Sequence, residues 1–417
     1  MMQHTPLEIF ASTPLDRETI PQSVLDILQK TRSNPLEWKG QFSPQFVEAL
    51  IQHYRDSTTK VLDPFAGSGT VLLEAARAGV AGIGLEVNPA AANLASVYAL
   101  TRLDPHQRRR LIQNFIELTK DIGGTGPLFT AQTVDPADVL LRAWKRSQNG
   151  DHVEGLPDAL AAFVTLADFY KRPLNPEKIR NLRSRLIGLI EGLPPSPPGG
   201  IQVRLADARS TGLPSNCVDL VVTSPPYINV FNYHQKYRAS VEAMGWHVLR
   251  AARSEIGSNR KHRQNRSLTV IQYSLDMAQV LTEVRRCLTP DGVAVFVVGR
   301  ESMVRKTPFY NGEIISEIAA SACGFNLAFR QERVFLNRYG QAIFEDILHL
   351  TPTESEPSPE ARDAVVRQIS KTVLTDALGR CPTESKADIQ AAAEAVWKVS
   401  PSPILQPAEL NPTQETP

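Results

Sequence analysis

Cysteine is scarce in this chain, and its placement excludes a disulfide framework. Cys217, Cys287, Cys323 and Cys381 lie far apart, form no C-x-x-C pair and have no histidine at zinc-ligand spacing. They read as reduced thiols, and no metal is implied. Long apolar runs are also missing. None approaches the roughly 20 residues of a membrane span, and Met1-Met2-Gln3-His4-Thr5-Pro6 lacks a basic segment leading into an apolar one. The expected location is therefore cytoplasmic, with no membrane partner. Nor is there an excess of charge of one sign. The net charge of +1 provides no global field to attract nucleic acid, so any such affinity has to come from a local patch. What remains is ordinary for a globular protein: 417 residues, 42% hydrophobic and 21% charged, suffice for one large domain with insertions or two modest ones.

Residues 1–38 mix proline, charge and one short amphipathic stretch, and read as an arm or a single helix. At Ser43-Pro44 a helix is expected to begin, with Ser43 as its cap, Pro44 at its first position and apolar residues spaced three and four apart after them. Phe42, just before the cap, reads as a hydrophobic staple or as a wall for a ligand, with the staple favoured. The run Lys60-Val61-Leu62-Asp63-Pro64-Phe65-Ala66-Gly67-Ser68-Gly69-Thr70 then predicts a strand, a glycine turn and a helix, which brings backbone N–H groups up against a ligand. It is not a phosphate loop, because the G-x-x-x-x-G-K-[ST] spacing and its lysine are absent. A second strand, Gly82 to Glu86, ends in an acid 17 residues after Gly69. Doubly wound folds place the carboxylate that holds ribose hydroxyls near that position. A surface acid at a strand end would look the same, but the two-part arrangement favours the ribose role.

Residues 101–200 change to helical periodicity and close on Pro194-Pro195-Ser196-Pro197-Pro198-Gly199-Gly200, as a helical insertion ending in a linker. Strands resume at Ile201 to Leu205, before Asp207, and at Val218 to Val222. The second of these delivers Thr223-Ser224-Pro225-Pro226-Tyr227, a stiff loop that cannot relax into helix or sheet. Its proline carbonyls are acceptors, Ser224 adds a hydroxyl and Tyr227 a face, which suits a planar ring bearing an amine. A Pro-Pro turn with a core tyrosine is the bland alternative. Residues 228–266 then carry eight Lys and Arg against two Glu. Lys236, Arg238, Arg260, Lys261 and Arg263 are candidates for nucleic-acid contacts, and interleaved aromatics at Phe231, Tyr233, Tyr237 and Trp246 favour that over a merely solvated face. Further on come a helix over 272–287, a Pro290-Asp291-Gly292 turn, a buried strand at 293–298, a helix at 312–322 and an antiparallel pair at 327–335 and 344–350. Residues 352–417 predict two weak helices and a disordered tail.

Taken together, Asp63-Pro64-Phe65-Ala66-Gly67-Ser68-Gly69-Thr70, Glu86, Asp207 and Ser224-Pro225-Pro226-Tyr227 resemble the amino-methyltransferases of DNA, over about residues 39–350. The resemblance implies a Rossmann-like α/β fold, a seven-stranded sheet with its last strand antiparallel. Residues 39–100 and 201–351 would form the catalytic domain, with residues 228–266, favoured because they adjoin the catalytic loop, and the insertion as places for target recognition. It implies S-adenosyl-L-methionine as cofactor: Phe65, Gly67 and Gly69 would line its methionine end, within the run that also holds Asp63 and Thr70. Glu86 would hold the ribose and Asp207 the adenine, while Phe42 and Pro44 match the family's N-terminal cofactor motif. It implies double-stranded DNA as partner and admits a cognate restriction enzyme, without fixing an oligomeric state. Ser at the first position of the tetrapeptide points to cytosine N4. Adenine N6, an RNA guanine-N2 or protein amide target, and a nucleic-acid-binding protein without turnover are the rivals. The order, cofactor motif before catalytic motif, departs from the permuted order of many Ser-Pro-Pro-Tyr enzymes.

Overall fold

The computed structural model describes residues 7–56, 58–120, 122, 135–148, 153–170, 174–229, 232–258, 262–337, 339–404 and 409. The strands in chain order are β1 (Lys60–Asp63), β2 (Ala81–Glu86), β3 (Ile201–Leu205), β4 (Val218–Thr223), β5 (Leu288–Gly299), β6 (Glu301–Val304), β7 (Thr307–Tyr310), β8 (Phe325–Leu336) and β9 (Ala342–Pro352). Seven of them form one sheet in the order β3-β2-β1-β4-β5-β9-β8, while β6 and β7 pair separately. β1 to β5 are parallel to one another, and β9, the last strand, enters antiparallel between β5 and β8. This is the Rossmann-like sheet that the sequence predicts.

Central strands of such a sheet are covered on both faces, so they read as unbroken apolar runs. Alternate residues then go to opposite layers. Val61, Leu220, Val222, Val295 and Val297 join one buried cluster with the Pro44–Tyr54, Thr70–Ala78 and Pro89–Ala99 helices. Leu62, Val221, Ala294, Phe296 and Val298 join the other, with the Leu268–Cys287, Asn311–Ala322 and Pro359–Ala377 helices. The insertion is continuous with the first layer. Its Leu156–Ala167 helix is buried at every position except Pro157 and Asp158 and packs its Phe163 ring edge-on against Phe115 at 5.2 Å.

Several expectations change. The 1–38 segment is no free arm: it forms the Glu8–Ser12 and Gln22–Asp26 helices and follows β8, where Asp16 N–H donates to the Arg330 carbonyl at 2.8 Å. Pro290-Asp291-Gly292 is no turn between elements but an irregularity inside β5, because Val218 pairs with Leu288 and Leu220 already with Val293. The helix before β5 begins at Leu268, four residues earlier than the periodicity suggests. The β6–β7 hairpin carries no signal in the sequence. Its two-residue turn has φ of +50° at Arg305 and +59° at Lys306, positions where Asn-Gly would have announced it. The two C-terminal helices are firmly packed rather than weak, with Val366, Leu374 and Ile389 fully buried against the sheet's second layer. The tail expected to be disordered, 400–417, is ordered at its start, where Ser402 is buried and bonded to Asp276, and beyond residue 404 only Glu409 is described.

Candidate active site

A cavity of about 920 Å³, its open mouth included, lies at the carboxyl ends of β1 to β4. Doubly wound sheets place ligands there, because the loops leaving the strands diverge at the switch in strand order. Its wall contains Phe42, Asp63, Phe65, Gly67, Thr70, Glu86, Asp207, Ser224 and Pro226, so residues from both sequence motifs meet in one space.

The glycine turn follows from backbone geometry. Gly67 has φ +51°, and a Cβ there would lie 3.2 Å from the Trp38 ring, so the chain approaches the indole as only glycine allows. Gly67 N–H donates to Glu86 Oε2 at 2.9 Å, and Asn88 N–H donates to Oε1 at 2.8 Å. The carboxylate is thereby aimed into the cavity with lone pairs remaining on both oxygens. Asp63 Oδ1 accepts from Thr223 Oγ1 at 2.7 Å and from Phe65 N–H at 3.1 Å, which ties the end of β1 to the end of β4. Burial pushes both acids up to about 7; the N–H donors oppose that shift, and for Glu86 the charge of Asp63 adds to it. Glu255 also lines the cavity, held against His234, whose Nδ1 lies 2.9 Å from Oε2. Four carboxylates on one wall suit a positively charged ligand and oppose a nucleotide's phosphates.

The structure sorts the remaining expected residues. Pro44 is buried at the first position of its helix, outside the cavity wall. Gly69 is a packing glycine, because a Cβ there would fall 2.6 Å from the Tyr98 ring. Phe42 serves both of its readings: it packs on Phe46 with centroids 5.8 Å apart and also faces the cavity. Asp207 is on the wall, yet three hydrogen bonds from Arg209 occupy most of its carboxylate. Pro225 is buried. Tyr227 is not among the wall residues: its ring lies against Gly299, where a Cβ would come within 2.7 Å of it, and its hydroxyl donates to Glu345 Oε1 at 3.3 Å. Burial and the Glu345 charge drive its phenol well above the ordinary value.

Trp38, Gln41, Ser254 and Glu255 are wall residues that the sequence reading did not select, and Tyr233, read there as an aromatic of a nucleic-acid face, lines the cavity as well. Gln41 Nε2 donates to Ser68 Oγ at 2.5 Å and Thr70 Oγ1 to Asn34 Oδ1 at 2.9 Å, so the 34–42 segment is laced onto the glycine turn. No local motif announces them, although Trp38 just before the first motif was a signal available in composition. The basic segment is less uniform than its sequence. Lys236 pairs with Glu37 at 2.9 Å and Arg238 with Glu242 at 2.8 Å. Arg263 is exposed, and Arg260 and Lys261 lie outside the described residues, as does Phe231. Tyr237 is buried and Trp246 packs on the first core layer, so these aromatics are core rather than a stacking platform, and that part of the nucleic-acid argument falls.

With this geometry in view, comparison with known proteins finds a family likeness for the first part of the chain. Residues 12–97 match the N6_N4_Mtase family, described as DNA methylase. The Type II methyltransferase M.MjaII of Methanocaldococcus jannaschii is 30% identical over 84 residues, 20% of this chain and only 16% of that protein's length. A SAM-dependent methyltransferase of Methanosarcina mazei aligns over 73% of this chain and 98% of its own at 12% identity and a TM-score of 0.35. TrmN from Thermus thermophilus aligns over 75% and 50% at 14% identity and 0.31.

Proposed function

We propose that this chain transfers a methyl group from S-adenosyl-L-methionine to the exocyclic amine of a base in double-stranded DNA, with cytosine N4 as the favoured target. The observation that carries the reading is that Glu86 and Asp63, of the first motif's strands, and Ser224 and Pro226, of the second, line one cavity. The match of residues 12–97 to DNA methylase supports the chemistry and the substrate class.

The residues fit the cofactor. Glu86, fixed by two N–H donors, would accept from ribose hydroxyls, and Gly67 leaves the close approach open. Asp63 and Glu255 would face positive charge. Asp207, oriented by Arg209, would meet the adenine end. When bound, the cofactor supplies an electrophilic methyl group on a positively charged sulfur.

An amine inside a duplex is out of reach, so the target base would be rotated from the stack at a cost of a few kcal/mol. Stacking against Tyr227, at about 1–3 kcal/mol, offsets much of that. The Ser224 hydroxyl and a carbonyl of Pro225 or Pro226 accept from the two N–H bonds of the amine. They thereby turn its nitrogen toward the methyl group. Serine is too weak a base to remove a proton first. The N–H becomes acidic once the nitrogen is methylated, and water can take it.

Incubation with labelled S-adenosylmethionine and DNA, followed by nucleoside analysis, tests the reading. N4-methylcytosine is expected. N6-methyladenine would overturn the base assignment, and labelled RNA beside unlabelled DNA would overturn the substrate class.

A further inference from the structure

Arg209 has no exposed side-chain surface, and its guanidinium joins three parts of the chain that are remote in sequence. Nε and Nη2 grip both oxygens of Asp207 at 2.9 and 2.6 Å. Nη2 also reaches the carbonyl of Ser254, on the cavity wall, at 3.2 Å, and Nη1 reaches Asp276 Oδ1 at 3.0 Å. The remaining donors go to the C-terminal segment, with the Ser402 carbonyl at 2.8 Å and the Pro403 carbonyl at 3.0 Å. Ser402 answers in the other direction: its N–H donates to Asp276 Oδ1 at 2.7 Å and its hydroxyl to Oδ2 at 2.5 Å. The segment is held from its other end by Gln272 Nε2, which donates to the Ser400 carbonyl at 3.0 Å.

One buried cation therefore serves two buried carboxylates, and the arrangement is satisfied only because the backbone of residues 402–403 supplies acceptors and Ser402 supplies donors. Without that segment Arg209 would lose two acceptors and Asp276 two donors. A buried charged network with missing members rearranges rather than remaining in place. The residue that would feel this first is Asp207, since Arg209 fixes its orientation.

We propose that residues 400–403 are a strap that sets the cofactor pocket, with Arg209 and Ser402 as positioning residues acting through Asp207. This rests on the reading of the cavity as an S-adenosylmethionine site. The strap and the cofactor are then thermodynamically coupled: each raises the affinity of the protein for the other by the same factor.

Calorimetry on the full-length chain, with S-adenosylmethionine as probe, tests this with Arg209→Lys, which keeps the charge but loses the fork, and with Ser402→Pro, which removes both donors to Asp276. Glu86→Ala serves as the control for the site itself. Both strap variants should raise Kd about tenfold, in the usual range of such couplings. Ser402→Ala should fall between them and the parent. In turnover the Ser402 variants should raise KM for the cofactor while leaving kcat within about twofold, since coupling acts on binding. Hydrogen exchange supplies the reciprocal readout, and the parent peptide containing Ser402 should exchange about tenfold more slowly once the cofactor is added. That reading stands even where Arg209→Lys fails to fold. If Glu86→Ala weakens binding while the Ser402 variants bind as the parent does and the exchange is unchanged, the strap proposal falls and the site reading survives. A parent that does not bind the cofactor overturns both.

Discussion

The Glu86 seat in the cavity is assembled from residues close together in the chain, whereas the seat of Tyr227, outside the cavity wall, draws on β4, β5, β9 and the loop around residue 257. Gly67, Glu86 and Asn88 lie within 21 residues of one another and are tied by two backbone hydrogen bonds to one carboxylate. Tyr227 instead rests on Gly299, donates to Glu345, and has its carbonyl pressed against Gly257. Arg333 fixes Glu345 in turn, at 2.6 Å. The seat of the Glu86 carboxylate is a local device that a short motif can specify, while the seat of Tyr227 is a tertiary one; the proposed function gives binding to the first and turnover to the second. Mutations at the two seats should therefore separate binding from turnover.

The largest expected effect is at Gly257. Its φ is +69° and a Cβ would lie 2.3 Å from the Tyr227 carbonyl, so Gly257→Ala must shift the backbone of the Ser-Pro-Pro-Tyr loop. Turnover should fall by about 10²–10³, the scale of losing one oriented transition-state hydrogen bond, and Ser224→Ala should match it. Single-turnover assays check this beside calorimetry, where cofactor affinity should hold within about threefold. An equal loss of affinity would erase the separation between the two seats.

Glu86→Ala is the converse, with cofactor binding weaker by about 1–3 kcal/mol and kcat at saturation little changed. Unchanged affinity would place the ribose elsewhere.

Protonation sharpens the same contrast. Asp63 and Glu86 are raised by burial from ordinary values of 3.8 and 4.5 to about 7. Their stabilising contribution to the ligand-free fold is therefore full below about pH 4 and is lost as pH rises toward 7, by up to about 1.4 kcal/mol per unit for each group. A cationic ligand favours the ionised form, so binding should release protons below pH 7. Affinity should rise by up to about tenfold per unit, for each proton released, between pH 5 and 7 and then level off. Titrations in buffers of different ionisation heat measure the protons directly; a flat profile would mean that neither acid faces the ligand.

The smallest effect is expected in the basic run. Neutralising Arg260, Lys261 and Arg263 together should flatten the dependence of DNA affinity on salt, by about 0.9 in log–log slope for each phosphate left without its cation. An unchanged slope would make the run a solvated face; Lys236 and Arg238 are already engaged in ion pairs with Glu37 and Glu242.

The sequence by itself determined the sheet's alternation, the glycine turn, the acid at the end of β2 and the stiff Ser-Pro-Pro-Tyr loop. Each depends on interactions within a few residues: strand apolarity, the φ freedom of Gly67, the missing N–H of Pro225 and Pro226. The tertiary structure alone decided the rest. Trp38 and Glu255 reach the wall because their segments fold back on the glycine turn and on His234. Tyr237, which sequence placed on a nucleic-acid face with Trp246, went into the first buried layer beside Trp38, and Trp246 packs against that layer. The β6–β7 hairpin formed on residues with no turn signal, and Arg209 bound a C-terminal segment 193 residues away. Such contacts are fixed by burial and by the need to satisfy charged groups across the assembled layers, and a pattern read along one strand of sequence carries no record of which distant residue will meet that need.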